Sequence, residues 1–487
     1  MQPVCKKRDS KVERMAMDNE SLRKLGNLAK AKFAAPLDAS FRPAVLANRA
    51  YRELVKESGQ GVKLVIGLER TDGTRSVYET QVFPAGHANA GMNNAYVERI
   101  VKFLLWQKGG WKVTIGGPAE VGEYIKKIYS PDGVRAFDVE FMGVTVSERP
   151  FEVVVTDAAS VPPAKETSMP IGRHLEGCRI GFDLGASDRK VAAVIDGNPV
   201  FAEEIIWNPR DQKDPLYHYN EVMDAIKRAA AHMPRVDAIG GSSAGVIVNN
   251  RPMVGSLFRG VPRDLFNSKT KNVFLDIKKA WEVPLEVVND GDVTALAGAM
   301  SLDDNAVLGM AMGSSEAVGY VNEEGNITGW LNELAFAPID YNPDAPVDEW
   351  SGDLGCGVQY QTQQAVFRLA KASGIELDET VSLAERLKSV QNLLEAGDNT
   401  ARKIWETIGT YVGYAVAHYA DFYNIRQMLI LGRVTSGSGG SIILERAMEV
   451  ISGEFPELAA KMEMHLPDEK TRRVGQAVAA ASLPAMK

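Results

Sequence analysis

Short apolar runs alternate with amphipathic helical stretches along the chain from about residue 178. Buried-type strands are predicted at Arg179–Asp183, Lys190–Ile195 and Val200–Trp207. A helix, a strand and further helix–strand alternation follow, and this series ends with a helix at Val293–Met300. Alternation of this kind is typical of an α/β domain.

The same pattern then occurs a second time. The runs Ala306–Ala311 and Ala317–Asn322 resemble a strand hairpin, and long amphipathic helices follow them. The strand Gln427–Leu431 then leads into a Gly-rich turn and a helix at Ser441–Ile451. Two series that each open on a hairpin with a glycine turn predict two lobes of similar construction.

The pattern of the residues before about position 178 predicts a separate α+β region. Its predicted elements are helices at 10–33, 42–57, Asn94–Gln107 and Ala119–Tyr129, and strands at Val62–Leu68, Val77–Val82, Trp111–Ile115, Phe137–Phe141 and 146–156. A stretch rich in Pro, Ser and Ala follows and is typical of a linker. We therefore expect an N-terminal region at 1–157, a linker at 158–177, a first lobe at 178–300 and a second lobe at 301–487. The N-terminal region carries no chemical motif, and its apolar strand positions should pack on the lobes.

Composition and charge narrow the functional classes. The 487 residues are 45% hydrophobic with a net charge of −8, so nothing attracts the whole chain to nucleic acid or an anionic membrane. The three cysteines, Cys5, Cys178 and Cys356, are too far apart in the sequence for a disulfide framework. The charged N-terminus lacks the apolar core of a signal peptide, and no apolar run is long enough to span a bilayer. The chain is expected to be cytoplasmic.

The first candidate motif is the turn Asp183-Leu184-Gly185-Ala186-Ser187 between two apolar strands. Small residues let backbone N–H groups approach phosphate oxygens, and the Ser187 hydroxyl adds a donor. A carboxylate at a strand end beside phosphates suits Mg²⁺ held through water, which is the role expected of Asp183. A simple hairpin turn explains the same residues.

The second motif, Asn289-Asp290-Gly291-Asp292, follows a buried strand and opens a helix. Asp290 or Asp292 could simply cap that helix. The functional alternative is a base at the C-terminal end of a strand, where α/β sheets present their ligands. Phosphoryl transfer to an alcohol uses such a carboxylate to accept the hydroxyl proton.

Two glycine-containing turns complete the series. Gly313 and Ser314 lie between the paired strands of the second lobe, where they mirror the first motif and would hold the outer phosphates of a nucleotide. The segment GRVTSGSGG begins at Gly432, and its small residues would let an adenine ring lie against the backbone. Each turn is a weak signal by itself, because glycine is common at strand–helix junctions.

Taken together in this order, the four motifs resemble those of the ROK family (repressor, open reading frame, kinase). The resemblance covers about 310 residues and includes the segments DLGASDRKVAAVIDG, IGGSSAGVIVNNRPMVG, LEVVNDGDVTALAGAM, LNELAFAPIDY and LILGRVTSGSGGSIILE. It implies a bilobal actin-like ATPase fold related to ribonuclease H, with an additional N-terminal α+β region.

The resemblance also implies roles for individual residues. It makes Asp290 the general base, and Asn289, Glu333 and Gly245 substrate-binding residues. Asp183 falls on the metal and phosphate position, together with the phosphate-loop residues Gly185, Ala186, Ser187, Gly313 and Ser314, and Gly432 falls on the adenosine turn. The implied cofactors are ATP and Mg²⁺, the implied partner is a small carbohydrate, and a homodimer is left open.

Several positions depart from the family pattern. The family's structural zinc motif is missing, since Phe336 stands at its histidine and only Cys356 remains of its cysteines. One thiol cannot build a tetrahedral zinc site, so no structural zinc is expected. Val358 replaces a sugar-binding glutamate, and Ser315 and Glu316 change the second phosphate loop. With Phe336 and Val358 facing the sugar, plain glucose is expected to be a poor substrate compared with a modified carbohydrate.

These observations favour an ATP-dependent kinase of a hexose or a modified hexose. Retention of Asp290 supports catalysis, whereas the changes at Ser315, Glu316 and Val358 favour a sugar-binding sensor that no longer phosphorylates. A repressor with an N-terminal winged helix is a third alternative. It is disfavoured because residues 1–157 are rich in predicted strands and are not strongly basic.

Overall fold

The computed structural model describes residues 19–467 and 469–486. Its N-terminal part is a four-stranded sheet in the order β2-β1-β3-β4 with helices packed around it. The elements up to the first lobe are α1 (Asn19–Gly26), α2 (Ala44–Glu57), β1 (Val62–Glu69), β2 (Arg75–Val82), α3 (Asn93–Lys108), β3 (Lys112–Gly116), α4 (Ala119–Ile128), α5 (Ala136–Val139), β4 (Glu152–Thr156) and β5 (Ser168–Met169).

The first lobe is built on a five-stranded sheet. Its elements are β6 (Cys178–Leu184), β7 (Asp188–Ile195), β8 (Asn198–Ile206), α6 (Pro215–Ala230), β9 (Ala238–Ser243), β10 (Val246–Val248), β11 (Arg251–Val254), α7 (Arg263–Ser268), α8 (Val273–Trp281), β12 (Leu285–Asn289) and α9 (Asp290–Leu302). The strand order is β12-β9-β6-β7-β8. Strands β6, β7 and β8 form an antiparallel meander, and β9 and β12 run parallel to β6.

The second lobe repeats this arrangement. Its elements are β13 (Val307–Met312), β14 (Glu316–Val321), β15 (Ile327–Thr328), α10 (Gln363–Ala372), α11 (Leu383–Glu395), α12 (Asn399–Tyr419), β16 (Gln427–Leu431), α13 (Ser438–Glu454), α14 (Pro456–Ala459), β17 (Glu463–His465) and α15 (Glu469–Ala481). The strand order is β17-β16-β13-β14-β15-β5. Numbered in chain order, the strands β6, β7, β8, β9 and β12 of the first lobe and β13 to β17 of the second both have the order 3-2-1-4-5 of ribonuclease H. Two such lobes in one chain confirm the bilobal actin-like ATPase fold.

Two segments join parts of the structure in which the predicted boundaries do not place them. The linker segment contributes β5, which pairs with β15 at the edge of the second sheet. The last helix, α15, returns to the first lobe and packs on β6 and β9. Glycine permits this close packing, because a Cβ atom at Gly181 would lie 1.8 Å from the Ala477 carbonyl oxygen and one at Gly240 would lie 1.7 Å from that of Ala480.

The N-terminal region packs on the second lobe, as its apolar positions predicted. Its buried side chains form one continuous core with those of α12 and α13. At the centre of this interface, Trp106 stacks on Phe336 with ring centroids 4.3 Å apart. Phe141 lies 4.8 Å from the same tryptophan ring. The contact is therefore an extension of the second lobe's core rather than a loose attachment.

The predicted strand at Phe137–Phe141 is wrong. Residues Ala136–Val139 form α5, and Glu140–Ser147 continue it as a π-helical segment. The alternation of apolar and polar residues in FDVEF fits a strand as well as a helix. Helical spacing places Phe137 and Phe141 on one face, where both rings pack against Trp106 and Phe336.

A buried network of six charged side chains joins the N-terminal region to the loop at 349–358. Its members are Glu98, Arg99, Lys102, Arg135, Asp138 and Asp353, all of them at most 3% exposed. The Asp353 carboxylate forms ion pairs with Arg99 at 3.1 Å, Lys102 at 3.2 Å and Arg135 at 2.7 Å. The three positive and three negative charges balance, which is the condition under which buried ions are tolerated.

This network lies at the segment where the ROK family carries its structural zinc motif, which this chain lacks. The buried thiol of Cys356 lies near it, and burial raises the pKa of that thiol well above its ordinary value. No group of three His, Cys, Asp or Glu side chains placed to hold a metal ion is found among residues 19–467 and 469–486. Elemental analysis of protein purified without chelator should find less than one tightly held zinc per chain. One zinc per chain would contradict this prediction.

No helix in the described part of the chain is long and apolar enough to cross a lipid bilayer.

Candidate functional site

Parallel pairing of three strands brings the first two motifs together. Strands β6, β9 and β12 run side by side, and they end next to one another at Asp183, Ser242 and Asn289. Because the carboxyl ends of parallel strands meet at one edge of a sheet, Asp183 and Asp290 lie close enough for their charges to interact. This edge faces the second lobe and forms the floor of the candidate site.

Asn289 both starts α9 and fixes the loop that contains Gly245. Its side-chain oxygen accepts from the Gly291 N–H at 2.7 Å, so Asn289 is the N-cap rather than Asp290 or Asp292. Its amide donates to the Gly245 carbonyl at 2.8 Å. Gly245 has φ +113°, a conformation that favours glycine, and a Cβ atom there would lie 2.1 Å from the Val254 carbonyl oxygen.

Asp290 is partly buried at the first turn of α9. Loss of hydration raises the pKa of its carboxyl to about 6, and the nearby charge of Asp183 adds to this effect. The backbone N–H of Gly291 and the Asn289 side chain oppose the shift by stabilising the charged form. A carboxylate with this pKa is mostly ionised at neutral pH and is a stronger base than an ordinary aspartate.

Glu333 lies near Asp290 and Asp292, close enough for their charges to act on its carboxyl. The backbone N–H groups of Asn332 and Glu333 donate to the carbonyls of Gln107 and Trp106, both at 2.9 Å, so the end of α3 holds this segment in place. Burial raises the pKa of the Glu333 carboxyl to about 8, with Asp290 and Asp292 adding to the rise. The residue is thus mainly protonated at pH 7 and able to donate a hydrogen bond to a hydroxyl oxygen.

The first phosphate loop contains an ion pair that the sequence did not indicate. Lys190 lies opposite Asp183 in the β6–β7 hairpin and donates to Asp183 at 3.3 Å and Asp188 at 3.1 Å. Ser242 donates to the other Asp183 oxygen at 2.7 Å. The ion pair between Lys190 and Asp183 could have been inferred from the register of the hairpin, which places these two residues opposite each other. Ser187 is exposed at the turn and donates to Asp188 at 2.9 Å.

The turn residues Gly185, Ala186, Gly313 and Ser314 lie on the two hairpin tips. The Gly185 N–H donates to the Asp188 carbonyl at 2.9 Å, and Trp207 donates to the Gly185 carbonyl at 2.9 Å. In the second lobe the Gly313 N–H donates to the Ser315 carbonyl at 3.0 Å, and Ser314 is exposed. The Cα of Gly313 is open on its side-chain face, since the nearest atom to an added Cβ is 3.5 Å away. The second tip thus leaves room for a ligand beside Gly313.

Glu316 does not point toward the second phosphate loop, contrary to expectation. Ser315 is exposed, but the next side chain alternates inward, and Glu316 is only 3% exposed. The Gln361 amide lies 3.1 Å from both of its oxygens, and the Tyr419 hydroxyl lies 3.4 Å from one of them. Burial raises the pKa of Glu316 to about 8, with the charge of nearby Glu333 adding to it. The sequence therefore missed a second carboxyl beside Glu333.

Phe336 and Val358 are the two apolar replacements expected to face a sugar. The ring of Phe336 is instead held in the aromatic interface with Trp106, so it belongs to the core between the N-terminal region and the second lobe. Val358 lies beside Gly357, where an added Cβ would come within 2.6 Å of a Glu316 carboxylate oxygen. The argument against glucose as a substrate therefore rests on Val358 alone.

Gly432 joins β16 to the turn that precedes α13. It has φ +107°, and a Cβ atom there would lie 2.4 Å from the Met312 carbonyl oxygen, directly before the second phosphate loop. The following residue, Arg433, is exposed and close enough to Asp188 for its charge to lower the pKa of that carboxyl. The candidate nucleotide turn, the second phosphate loop and the first hairpin tip thus converge.

The substitution Gly432→Ala is expected to damage the nucleotide side of the site. The added methyl group would both strain the backbone and collide with Met312. Gly374→Ala is the matched control, since Gly374 has φ +82° and no atom lies within 4 Å of an added Cβ. We expect the control to lose about 1 kcal/mol of stability and Gly432→Ala at least about 2 kcal/mol more. Urea unfolding measures the difference, and equal losses would contradict the predicted collision.

Comparison with known proteins gives matches among solved structures only. No family model and no curated protein matches the chain. A ROK hexokinase from Thermus thermophilus is 16% identical, with a TM-score of 0.49, and the match covers 62% of this chain and 97% of that one. A ROK family transcriptional regulator, a homologue of the E. coli MLC protein, is 19% identical with a TM-score of 0.49 and coverages of 63% and 79%.

A third match is a ROK family glucokinase from Streptomyces griseus in complex with glucose and AMPPNP. It is 16% identical with a TM-score of 0.45, and the match covers 62% of this chain and 99% of that one. At these identities the likeness concerns the fold alone. The strand order in the two lobes of this chain is that of the bilobal actin-like ATPase fold.

Proposed function

We propose that the protein is an ATP-dependent kinase that transfers the γ-phosphoryl group to a carbohydrate hydroxyl. The observation that carries the proposal is the position of Asp290, a carboxylate with a pKa of about 6 at the first turn of α9, close to Glu333 of the second lobe, which in turn lies close to Glu316. One ionised base and two protonated carboxyls suit an acceptor that has several hydroxyls.

In the proposed mechanism, Asp290 accepts the proton of the attacking hydroxyl. The hydroxyl oxygen forms a bond to the γ-phosphorus, and the bond between that phosphorus and the bridging oxygen breaks to release ADP. Glu333 and Glu316 donate hydrogen bonds to other hydroxyls of the carbohydrate, and the remaining N–H of Asn289 reaches the same space. Together these contacts orient the reacting hydroxyl.

The nucleotide is proposed to lie between the hairpin tips and Gly432. The exposed hydroxyl groups of Ser187 and Ser314 would receive its phosphates, with the exposed cation Arg433 nearby. Both oxygens of Asp183 already accept hydrogen bonds, so this residue fits Mg²⁺ held through water rather than by direct ligation. Bound Mg²⁺ would neutralise charge on the phosphates during transfer.

The pH dependence of catalysis provides one test. Asp290 can accept a proton only when it is ionised, so kcat/KM should rise with pH through about 6 and then level off by about pH 7. A carboxyl with the ordinary value of 3.8 would give no change over that interval. Steady-state rates of carbohydrate-dependent ADP release between pH 5 and pH 7.5 measure the profile. A flat profile would contradict the assignment of Asp290 as base.

One observation favours a second candidate, a carbohydrate sensor that does not phosphorylate. The Lys190 ammonium bridges Asp183 and Asp188, so a protein cation already occupies the neighbourhood proposed for the metal. A sensor would bind a carbohydrate, measured by calorimetry, and release no ADP above the carbohydrate-free rate. A kinase would show both binding and release.

A further inference from the structure

A cavity of about 310 Å³ lies outside the interlobe cleft. It lies where the N-terminal sheet, the end of α3, the linker and the second lobe meet, and it is partly open to solvent. Apolar side chains form its walls, including Leu68, Leu104 and Phe422. Tyr78 also lines it and stacks on Phe422 with ring centroids 5.6 Å apart. Cavities of this size and character bind small molecules with an apolar body.

Lys108 is the basic residue of the cavity wall. Its ammonium lies 2.9 Å from the centroid of the Trp330 ring, a cation–π contact. Within the described part of the chain it has no hydrogen bond to, and no ion pair with, a side chain or carbonyl. Burial lowers the pKa of Lys108 to about 7; the nearby charge of Glu166 opposes this shift, and that of Arg70 adds to it.

The acidic residues of the wall are already neutralised by other partners. Glu166 binds Arg70 at 2.6 Å. Asp421 binds Arg49 and Arg52, each at 2.8 Å. Lys108 is therefore the charged group of the cavity wall that lacks an opposite charge in contact with it. A ligand with one negative charge would supply that partner, whereas a dianion would also face the two wall carboxylates.

We propose that this cavity is a binding site for a small monocarboxylate with an apolar or aromatic body. The carboxylate pairs with Lys108 beside Trp330, and the body packs on Leu68, Leu104 and Phe422. At about 30 Å³ for each water-sized group, the volume accommodates roughly ten non-hydrogen atoms, which is the size of phenylacetate.

Calorimetric titration of the full chain with phenylacetate, hexanoate and 3-methylbutanoate tests the site. We expect at least one of them to bind with a Kd near or below about 1 mM, as expected for ligands of this size. Two controls should bind at least about tenfold more weakly than phenylacetate: 2-phenylacetamide, which is its neutral isostere, and acetate, which has the carboxylate but no large apolar group. Because the readout is binding, the result is independent of any phosphoryl transfer in the cleft. Absence of binding by all three carboxylates at 10 mM would overturn the proposal.

Two variants locate the ligand. Lys108→Met should weaken binding of the carboxylate at least about tenfold and leave 2-phenylacetamide unchanged, whereas Lys108→Arg should retain most of the affinity. Lys112→Met, at a lysine outside the cavity, is the matched control. Ala164→Phe fills the cavity from its exposed rim and should weaken the binding of phenylacetate and 2-phenylacetamide equally. This variant provides the test if Lys108→Met does not fold. Carboxylate affinity unchanged in a folded Lys108→Met protein, or in Ala164→Phe, would overturn the proposal.

Discussion

Replacing Asp290 by asparagine is expected to lower kcat by about 100-fold to 10,000-fold. The amide has the shape of the carboxyl but cannot accept the hydroxyl proton. Asp290 also lies in a partly desolvated position where its pKa is raised to about 6, which makes it more basic than an ordinary aspartate. Carbohydrate and nucleotide binding should persist, because Asn289, Glu333 and the hairpin tips are unchanged.

The measurement is single-turnover phosphoryl transfer, with calorimetric titration to verify binding. Asp303→Asn is the matched control: Asp303 follows the other end of the same helix, is exposed, and has φ +49°, which asparagine tolerates. The control should keep wild-type turnover. If the Asp290 variant also keeps most of its activity on the best carbohydrate, Asp290 is not the base.

Replacing Asp353 by asparagine is expected to reduce the free energy of unfolding by about 3–5 kcal/mol. Asp353 is 2% exposed and bonds to three buried cations, Arg99, Lys102 and Arg135. Removing its charge leaves three buried positive charges with only Glu98 and Asp138 opposite them. The loss should weaken both the loop at 349–358 and the attachment of the N-terminal region to the second lobe.

Urea unfolding of the two proteins measures the change. Asp344→Asn provides the control, since its side chain is 79% exposed and lies 3.9 Å from Arg23 at the surface. The control should change stability by less than about 0.5 kcal/mol. A loss of less than about 1 kcal/mol in the Asp353 variant would show that the network does not hold the interface.

The sequence predicted the lobes well because their strands are short, apolar and bounded by glycine or asparagine. Strand β16 begins and ends at the predicted residues. Strand β12 and helix α9 were located correctly, so Asn289 and Asp290 could be placed at a strand–helix junction. Local sequence patterns are sufficient to locate a candidate site residue when the residue lies in the same short segment as the strand and helix that position it.

Contacts between distant segments could not be predicted in this way. The inward position of Glu316 depends on Gln361 and Tyr419, which lie more than forty residues away. The role of Phe336 depends on Trp106 in another region of the chain. The buried network joins α3 to residue 353, and neither segment alone reveals its partner. Such pairs depend on tertiary packing, for which a single sequence carries no direct pattern.

Transfer of label from [γ-³²P]ATP to a carbohydrate tests the proposed kinase function most directly. The full chain would be incubated with Mg²⁺, labelled ATP and a panel of hexoses, amino sugars and their N-acetyl forms. Kinase activity predicts label in a carbohydrate phosphomonoester, formed in proportion to ADP and lost in the Asp290→Asn variant. If label remains in ATP with every carbohydrate, or appears only as inorganic phosphate, the protein is not a carbohydrate kinase.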